Sequence, residues 1–164
     1  MTTVSKHSTR LVVEKRLDES FSLARPAARL TLPYELRQKS RQRVVLDTGE
    51  EAGLFLPRGT MLREGDLLEA DNGLIIEVKA AEEELSAAFA IDPVLLLRAC
   101  YHLGNRHVPV QISESRVSYL HDHVLDELVR GLGLEVVTYT GAFEPEPGAY
   151  YPRTGTGHQH VMLI

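Results

Sequence analysis

The stretch Asp92-Pro-Val-Leu-Leu-Leu-Arg-Ala-Cys-Tyr-His-Leu-Gly-Asn-Arg-His107 decides the fold of the C-terminal half. Asp92 is a good helix N-cap. Proline is acceptable at the next position, because the N–H group that it lacks would have no partner within the first helical turn. The apolar residues that follow lie on nearly every side of the predicted helix, which runs to about Leu103. We therefore expect a helix in a core or an interface. Gly104 and Asn105 predict a left-handed stop.

The segments after and before this helix predict the order β-α-β-β-α-β. Leu85–Ile91 is typical of a strand, and Val108–Ile112 and Arg116–Leu120 predict a hairpin with a Ser-Glu-Ser turn. Asp122 can cap a second helix, in which apolar residues recur at i, i+3, i+4 and i+7. Leu134–Tyr139 completes the set as a β-branched strand. This is a ferredoxin-like arrangement.

The first half of the chain has a different pattern, of short β-like runs separated by glycine-containing turns. Short antiparallel strands must close or pack face to face to bury one side, so this half predicts a small barrel or sandwich without a long helix. The runs are Leu11–Leu17, Ala28–Leu32, Arg43–Asp47, Leu67–Glu69 and Leu74–Lys79.

These patterns predict an α+β fold in three parts. Residues 1–80 form a small all-β domain, residues 81–144 form the ferredoxin-like domain, and residues 145–164 form a flexible tail. The acidic stretch Ala80–Glu84 is the predicted hinge. Frequent proline and glycine after Phe143 favour the mobile tail.

Composition narrows the class of protein. The 164 residues are 43% apolar and 25% charged, which suits one ordinary domain or two small ones. No apolar run approaches the roughly 18 residues of a membrane span, and the polar N-terminal segment lacks the apolar core of a signal peptide. We therefore expect a cytoplasmic protein that does not associate with a membrane. Cys100 is the one cysteine, which excludes an internal disulfide and leaves nitrogen or oxygen donors for any metal.

Charge and histidine are unevenly distributed. Residues 1–80 carry 13 basic and 12 acidic side chains, whereas residues 81–164 carry 5 and 11. An acidic half attracts cations, and it holds six of the seven histidines: His102, His107, His121, His123, His158 and His160. The basic stretch Arg25–Arg43 suggests an acidic partner surface. A solvated face explains it better than nucleic-acid binding, because aromatic residues are few and the net charge is negative.

The histidines suggest a shared metal site. His107 directly follows the first helix, whose carbonyl end attracts a cation. His102 lies on the last helical turn, and His121 and His123 flank the start of the second helix. No grouping builds a rigid tetrahedral site in one chain, but a two-fold interface along the first helix would bring two His107 side chains together. Nitrogen ligands suit Ni(II), Cu(II) and Zn(II). The affinity of an imidazole for such an ion falls as pH drops through about 6.5, because the protonated ring cannot bind a metal.

Signs of catalysis are weak. The sequence has no phosphate-binding Gly-x-x-x-x-Gly-Lys-Ser/Thr loop, no Gly-x-Ser-x-Gly elbow and no His-Glu-x-x-His helix. Cys100 has apolar neighbours typical of an inert core thiol. Asp122 and Asp126 are interpreted as solvated acids of a first helical turn. A metal-dependent hydrolase is therefore the weakest hypothesis, and a non-metal interaction adaptor that binds a partner through Arg25–Arg43 is the main alternative.

The segments Ala99–Ile112, with its Gly-Asn-Arg-His signature, and His121–Leu134, with its His-Asp-His start, resemble the urease accessory protein E family, the nickel metallochaperones of urease maturation. The resemblance extends over nearly the whole chain, and it implies that residues 1–80 are a peptide- or partner-binding domain and residues 81–144 a metal-binding and dimerisation domain. It implies a cytoplasmic homodimer in which His107 of each chain binds Ni(II), and delivery of the ion, with the urease GTPase accessory protein, to apo-urease without catalysis. His121 and His123 match residues that bind additional metal in some members. The tail residues His158 and His160 resemble those that complete or feed the site, and having only two of them implies a handful of ions per dimer.

Overall fold

The computed structural model describes residues 10–18 and 25–148. The described residues form two sheets, of six and four strands, and three helices. None of these helices has the length and apolar character needed to span a membrane. In chain order the elements are β1 (Leu11–Arg16), β2 (Ala28–Leu32), α1 (Tyr34–Arg37), β3 (Arg41–Val45), β4 (Glu51–Phe55), β5 (Leu67–Ala70), β6 (Ile75–Ala80), β7 (Glu82–Phe89), α2 (Pro93–Asn105), β8 (Gln111–Ser113), β9 (Arg116–Leu120), α3 (His123–Gly131) and β10 (Glu135–Ala142).

The first sheet has the strand order β2-β6-β5-β1-β4-β3. The expectation that all its strands are antiparallel is wrong, since β1 pairs with β4 and β2 with β6 in parallel. These partners are distant in sequence, so no hairpin dictates their direction. Asp47, which follows the edge strand β3, forms hydrogen bonds to the other edge strand, β2. Its backbone N–H donates to the Arg29 carbonyl at 2.9 Å, and its carboxylate accepts from the Thr31 hydroxyl at 2.7 Å.

The six-stranded sheet buries one apolar face. In β2, for example, exposed and buried residues alternate strictly, as the period of a strand requires. Strand β4 was not predicted, because its glycine at position 53 is unfavourable in a strand. The Phe55 ring covers this glycine, where an added Cβ would lie 2.8 Å from it. The largest core side chains are those of Leu30, Leu54, Leu56, Leu62, Leu68 and Ile76.

The second sheet has the order β10-β7-β9-β8, and its strands are all antiparallel. With α2 and α3 following β7 and β9, this is the predicted ferredoxin-like arrangement. Strand β9 matches its prediction at both ends. Strand β8 begins at Gln111, three residues later than expected, because Val108 still belongs to the end of α2 and Pro109 has no N–H group to donate.

The predicted hinge at Ala80–Glu84 is wrong. Strand β6 ends at Ala80 and β7 starts at Glu82, so a single residue separates the two sheets. The three glutamates at the start of β7 pair with the end of β10. Their charge is tolerated because Glu82 and Glu84 are exposed, and cross-strand pairing overrides composition.

The chain that follows β10, including the start of the predicted tail, contacts both domains. Phe143 is buried, and the Glu144 carboxylate forms ion pairs with Arg37 and Arg63. The Glu146 N–H donates to the Val110 carbonyl at 2.8 Å. A flexible tail is therefore wrong for residues 145 and 146, because their backbone groups have specific partners: the Pro145 carbonyl accepts from Arg63 at 2.7 Å. The rest of that prediction, from residue 149 onward, lies outside the described residues.

The basic stretch Arg25–Arg43 is not one continuous basic surface. Its central residue, Arg37, is fully buried and donates to the Leu32 carbonyl at 3.2 Å and the Leu62 carbonyl at 3.4 Å. It also donates to the Phe143 carbonyl and to Glu144. Arg37 is therefore a structural residue and contributes no charge to a partner surface.

Candidate metal centre

Helix α2 ends in a motif that places His107 in an unusual backbone conformation. The Val108 N–H donates to the Leu103 carbonyl at 3.1 Å and the His107 N–H to the Gly104 carbonyl at 2.9 Å. This pair of bonds defines a Schellman motif, whose left-handed residue is most often glycine. Here it is His107, with a φ of 57°. The predicted left-handed stop at Gly104 and Asn105 is wrong, because both residues remain helical.

Helix α3 ends in the same way but with the usual residue. The Leu134 N–H donates to the Val129 carbonyl and the Gly133 N–H to the Arg130 carbonyl, and Gly133 has a φ of 96°. Among the described residues, His107 is the one non-glycine residue with a positive φ. Such conformations cost free energy and cluster at functional sites. An exposed imidazole is thus held, at a cost, beside the carbonyl end of α2.

Helix α2 presents an apolar stripe that the described chain leaves exposed. Val94, Leu97 and Tyr101 are 47%, 69% and 66% exposed, and their spacing of three and four residues places them on one side of the helix. Ala99 and Leu103, on the other side, are buried against the sheet. The prediction that α2 is buried on more than one side therefore requires a second molecule. His107 follows the C-terminal end of this stripe.

His102 and Cys100 lie near the end of the same helix. The His102 ring is half-buried and packs edge-on against the Tyr101 ring at a centroid distance of 5.4 Å. Cys100 packs against the core of this domain, and burial raises the pKa of its thiol. A raised pKa reduces the thiolate fraction that a nucleophile needs. The structure thus supports the interpretation of Cys100 as an inert thiol.

The two other described candidate ligands, His121 and His123, lie on either side of Asp122 at the start of helix α3. Asp122 is its N-cap and accepts hydrogen bonds from the Val124 and Leu125 N–H groups at 2.8 and 3.1 Å. These two bonds lower the pKa of the Asp122 carboxyl. His121 precedes the cap, and His123 is the first residue of the helix and is exposed. The predicted cap is confirmed.

Asp126 is not the solvated acid that was expected. It is 2% exposed, and its Oδ1 atom accepts a hydrogen bond from the Tyr119 hydroxyl at 2.9 Å. Burial, followed by the contact with Asp126, raises the pKa of Tyr119. The other carboxylate oxygen, Oδ2, lies 3.5 Å from the Nδ1 atom of His121. The same Nδ1 atom lies 3.0 Å from the Ser86 hydroxyl oxygen. Spacing in the sequence gives no sign of this network, because Ser86 comes from β7.

Ser86, His121 and Asp126 do not form a nucleophilic relay. A relay needs the serine and the carboxylate on opposite nitrogens of the imidazole, so that a proton can pass from one side to the other. Here both contact Nδ1. Ser86 is also fully buried, which closes its hydroxyl to a substrate.

The described residues do not gather a complete set of ligands. Within residues 10–18 and 25–148, no group of three histidine, cysteine, aspartate or glutamate side chains could hold a metal ion. His158 and His160 lie outside the described residues. The fold and the exposed histidines define an α+β protein that presents imidazoles at the ends of helices.

The comparisons place this chain in a family. The model for the N-terminal domain of the UreE urease accessory protein matches residues 13–81, and the model for its C-terminal domain matches residues 83–162. The urease accessory protein UreE of Alkalilimnicola ehrlichii is 56% identical over 135 residues, covering 82% of this chain and 83% of the relative. That of Proteus mirabilis is 48% identical over 145 residues, covering 88% and 90%. The chain belongs to the UreE family of urease accessory proteins.

Proposed function

We propose that this protein is a nickel chaperone of urease maturation. It works as a cytoplasmic homodimer that holds Ni(II) between two His107 side chains and, with the urease GTPase accessory protein, passes the ion to apo-urease. It is a carrier and not an enzyme. Membership of the urease accessory family supports this role.

The observation that carries the proposal is the position of His107. An exposed imidazole occupies a left-handed site normally given to glycine, next to the carbonyl end of α2 and to the exposed apolar stripe. If two copies of the stripe pack about a two-fold axis, each chain supplies the same residues to the interface. Two imidazoles can then bind one ion that neither chain binds tightly alone. Such a shared site can release its ion when the geometry changes.

The other histidines serve as auxiliary ligands in this proposal. His121 and His123 form a weaker site at the start of α3, and His102 contributes near the end of α2. His158 and His160 feed or complete the shared site from the tail. Imidazole nitrogen also suits Zn(II) and Cu(II), which compete for the same positions.

Titration of metal-free protein with Ni(II) in a calorimeter tests the proposal. We expect a tight step at about one ion per two chains, as a site on a two-fold axis requires. His107→Ala should abolish this step, whereas His123→Ala, a matched removal of an exposed imidazole, should leave it intact. Unchanged tight binding in His107→Ala would show that the shared site is elsewhere.

A further inference from the structure

A buried polar network holds one ring nitrogen of His121. Its Nδ1 atom lies 3.0 Å from the Ser86 hydroxyl oxygen and 3.5 Å from Asp126 Oδ2. A neutral imidazole carries its proton on one nitrogen and a free electron pair on the other. The groups that face Nδ1 therefore decide which nitrogen of His121 is available to a ligand.

Asp126 faces His121 as an acceptor of hydrogen bonds. Its Oδ1 atom accepts from the Tyr119 hydroxyl at 2.9 Å, and Arg130 Nη2 lies 3.6 Å from its Oδ2 atom. Both neighbours present donor groups to these oxygens, and a carboxylate oxygen accepts. A carboxylate next to Nδ1 favours a proton on Nδ1. The electron pair of the ring then lies on Nε2.

The Nε2 atom is free to bind a ligand. The His121 side chain is 31% exposed, and within the described part of the chain no hydrogen bond reaches its Nε2 atom. Imidazoles that bind metals commonly donate their other N–H to a carboxylate, which fixes the tautomer and the ring orientation. In His121 the nitrogen on this side faces a carboxylate oxygen at 3.5 Å and a hydroxyl oxygen at 3.0 Å.

We infer that Asp126 is a positioning residue which, with Ser86, fixes His121 as the Nδ1–H tautomer and presents Nε2 to a divalent cation. This inference rests on the proposed metal-binding function and concerns its auxiliary site. It also separates the two histidines at the start of α3. His123 makes no side-chain hydrogen bond to the described residues, so His121 is the preorganised ligand of the pair.

The variant Asp126→Asn tests the inference with little change of shape. Tyr119 donates to Oδ1 and should keep the amide oxygen there, which turns the amide nitrogen toward His121 Nδ1. An amide N–H donates to Nδ1 and moves the ring proton to Nε2. Glu127→Gln is the matched control, because it removes the same charge from the next, exposed residue.

The first measurement is the tautomer of His121 in metal-free protein, from its two imidazole ¹⁵N shifts at about pH 8, where an ordinary imidazole is neutral. We expect Nδ1–H in the wild type and in Glu127→Gln, and Nε2–H in Asp126→Asn. A purely structural role for Asp126 would not predict this change. An Nε2–H tautomer in the wild type would overturn the inference, and that result needs no variant to fold.

The second measurement is Ni(II) affinity at His121, followed through its NMR signals in the His107→Ala background. Loss of a partner behind a ligand typically weakens metal binding by about 10- to 100-fold, which is the change we expect for Asp126→Asn but not for Glu127→Gln. Equal affinity in the two variants, or Ni(II) binding at His107 of the wild type with none at His121 in either background, would overturn the inference and leave the proposed function standing. Absence of Ni(II) binding at both histidines of the wild type would contradict the proposed function itself.

Discussion

The left-handed backbone conformation of His107 costs free energy. Helices α2 and α3 end in the same motif, with His107 at the left-handed position of one and Gly133 at that of the other. A side chain with a Cβ atom is strained at this position, by about 1–2 kcal/mol relative to the right-handed conformation. Glycine would be the choice for stability alone. Histidine at this position therefore keeps its imidazole at a cost in stability.

We expect His107→Gly to be more stable than His107→Ala by about 1 kcal/mol, because glycine adopts a positive φ without strain. Urea unfolding of the metal-free variants at one protein concentration measures the difference. At Arg106, where φ is −94°, the order should be reversed, with alanine the more stable substitution. An alanine variant as stable as the glycine variant at position 107 would show that the position is not strained.

At the scale of elements, α2 is a helix with two apolar sides and, within the described chain, one sheet to cover them. The sheet covers Ala99 and Leu103, while the stripe of Val94, Leu97 and Tyr101 stays exposed. Exposed apolar patches on a helix commonly mark an interface. The predicted dimer therefore depends on this stripe.

Leu97→Glu should convert the dimer to a monomer. It places a charge on the stripe, and a two-fold axis would bring two such charges close together, which should weaken the dimer by at least about 100-fold. Sedimentation of metal-free protein measures the mass. Phe55→Glu, at a residue that is 51% exposed on the other sheet, should leave the mass unchanged. A dimer that survives Leu97→Glu would place the interface on another surface.

Helix α3 depends on the charge of its cap. Hydrogen bonds from α3 hold the folded-state pKa of Asp122 below its ordinary value. The charged cap therefore stabilises the protein fully above the unfolded-state pKa of about 3.9. This stabilisation is lost as pH falls through the lower, folded-state pKa. We expect Asp122→Ala to lower Tm at neutral pH and the gap to the wild type to narrow in acid. Asp122→Ser keeps a cap without the charge, so its gap to Asp122→Ala should not depend on pH. A gap between wild type and alanine that is constant from neutral pH to about pH 2 would contradict this account.

At the scale of the whole molecule, Arg37 joins the two domains. Its buried guanidinium donates to carbonyls of the first domain and to Phe143 and Glu144, which follow the last strand of the second. The apolar contact of Tyr34 with Phe143, at a ring centroid distance of 5.3 Å, lies in the same region. The chain that leaves β10 is thus secured to the first domain before it passes Val110.

Arg37→Met should cost about 2–3 kcal/mol of unfolding free energy, since it removes the buried partner of the partly exposed Glu144 and leaves carbonyl groups unpaired. Urea unfolding measures the loss. Lys39→Met breaks an exposed pair with Glu35 and should cost only about 0.5 kcal/mol. Comparable losses in the two variants would mean that Arg37 does not join the domains.

Local patterns were enough to predict the α+β class, the ferredoxin-like order of elements and the Asp122 cap, and they pointed to His107 as a ligand, which stays a prediction. These features depend on residues close in sequence: the period of apolar side chains, the cap and turn residues, and the histidines around the helix ends. The His107 prediction could be made because the Gly-Asn-Arg-His segment lies in one piece of chain.

The tertiary structure alone decided the rest. The burial of Arg37 and Asp126, the attachment of Glu144 and the parallel pairs of the first sheet all depend on partners far apart in the chain, up to 107 residues for Arg37 and Glu144. A charged residue has the same local pattern whether it lies in water or in a network, because its environment is set by the packing of other elements around it. The sequence therefore shows which side chains are candidate ligands, and the fold decides which partners surround each of them.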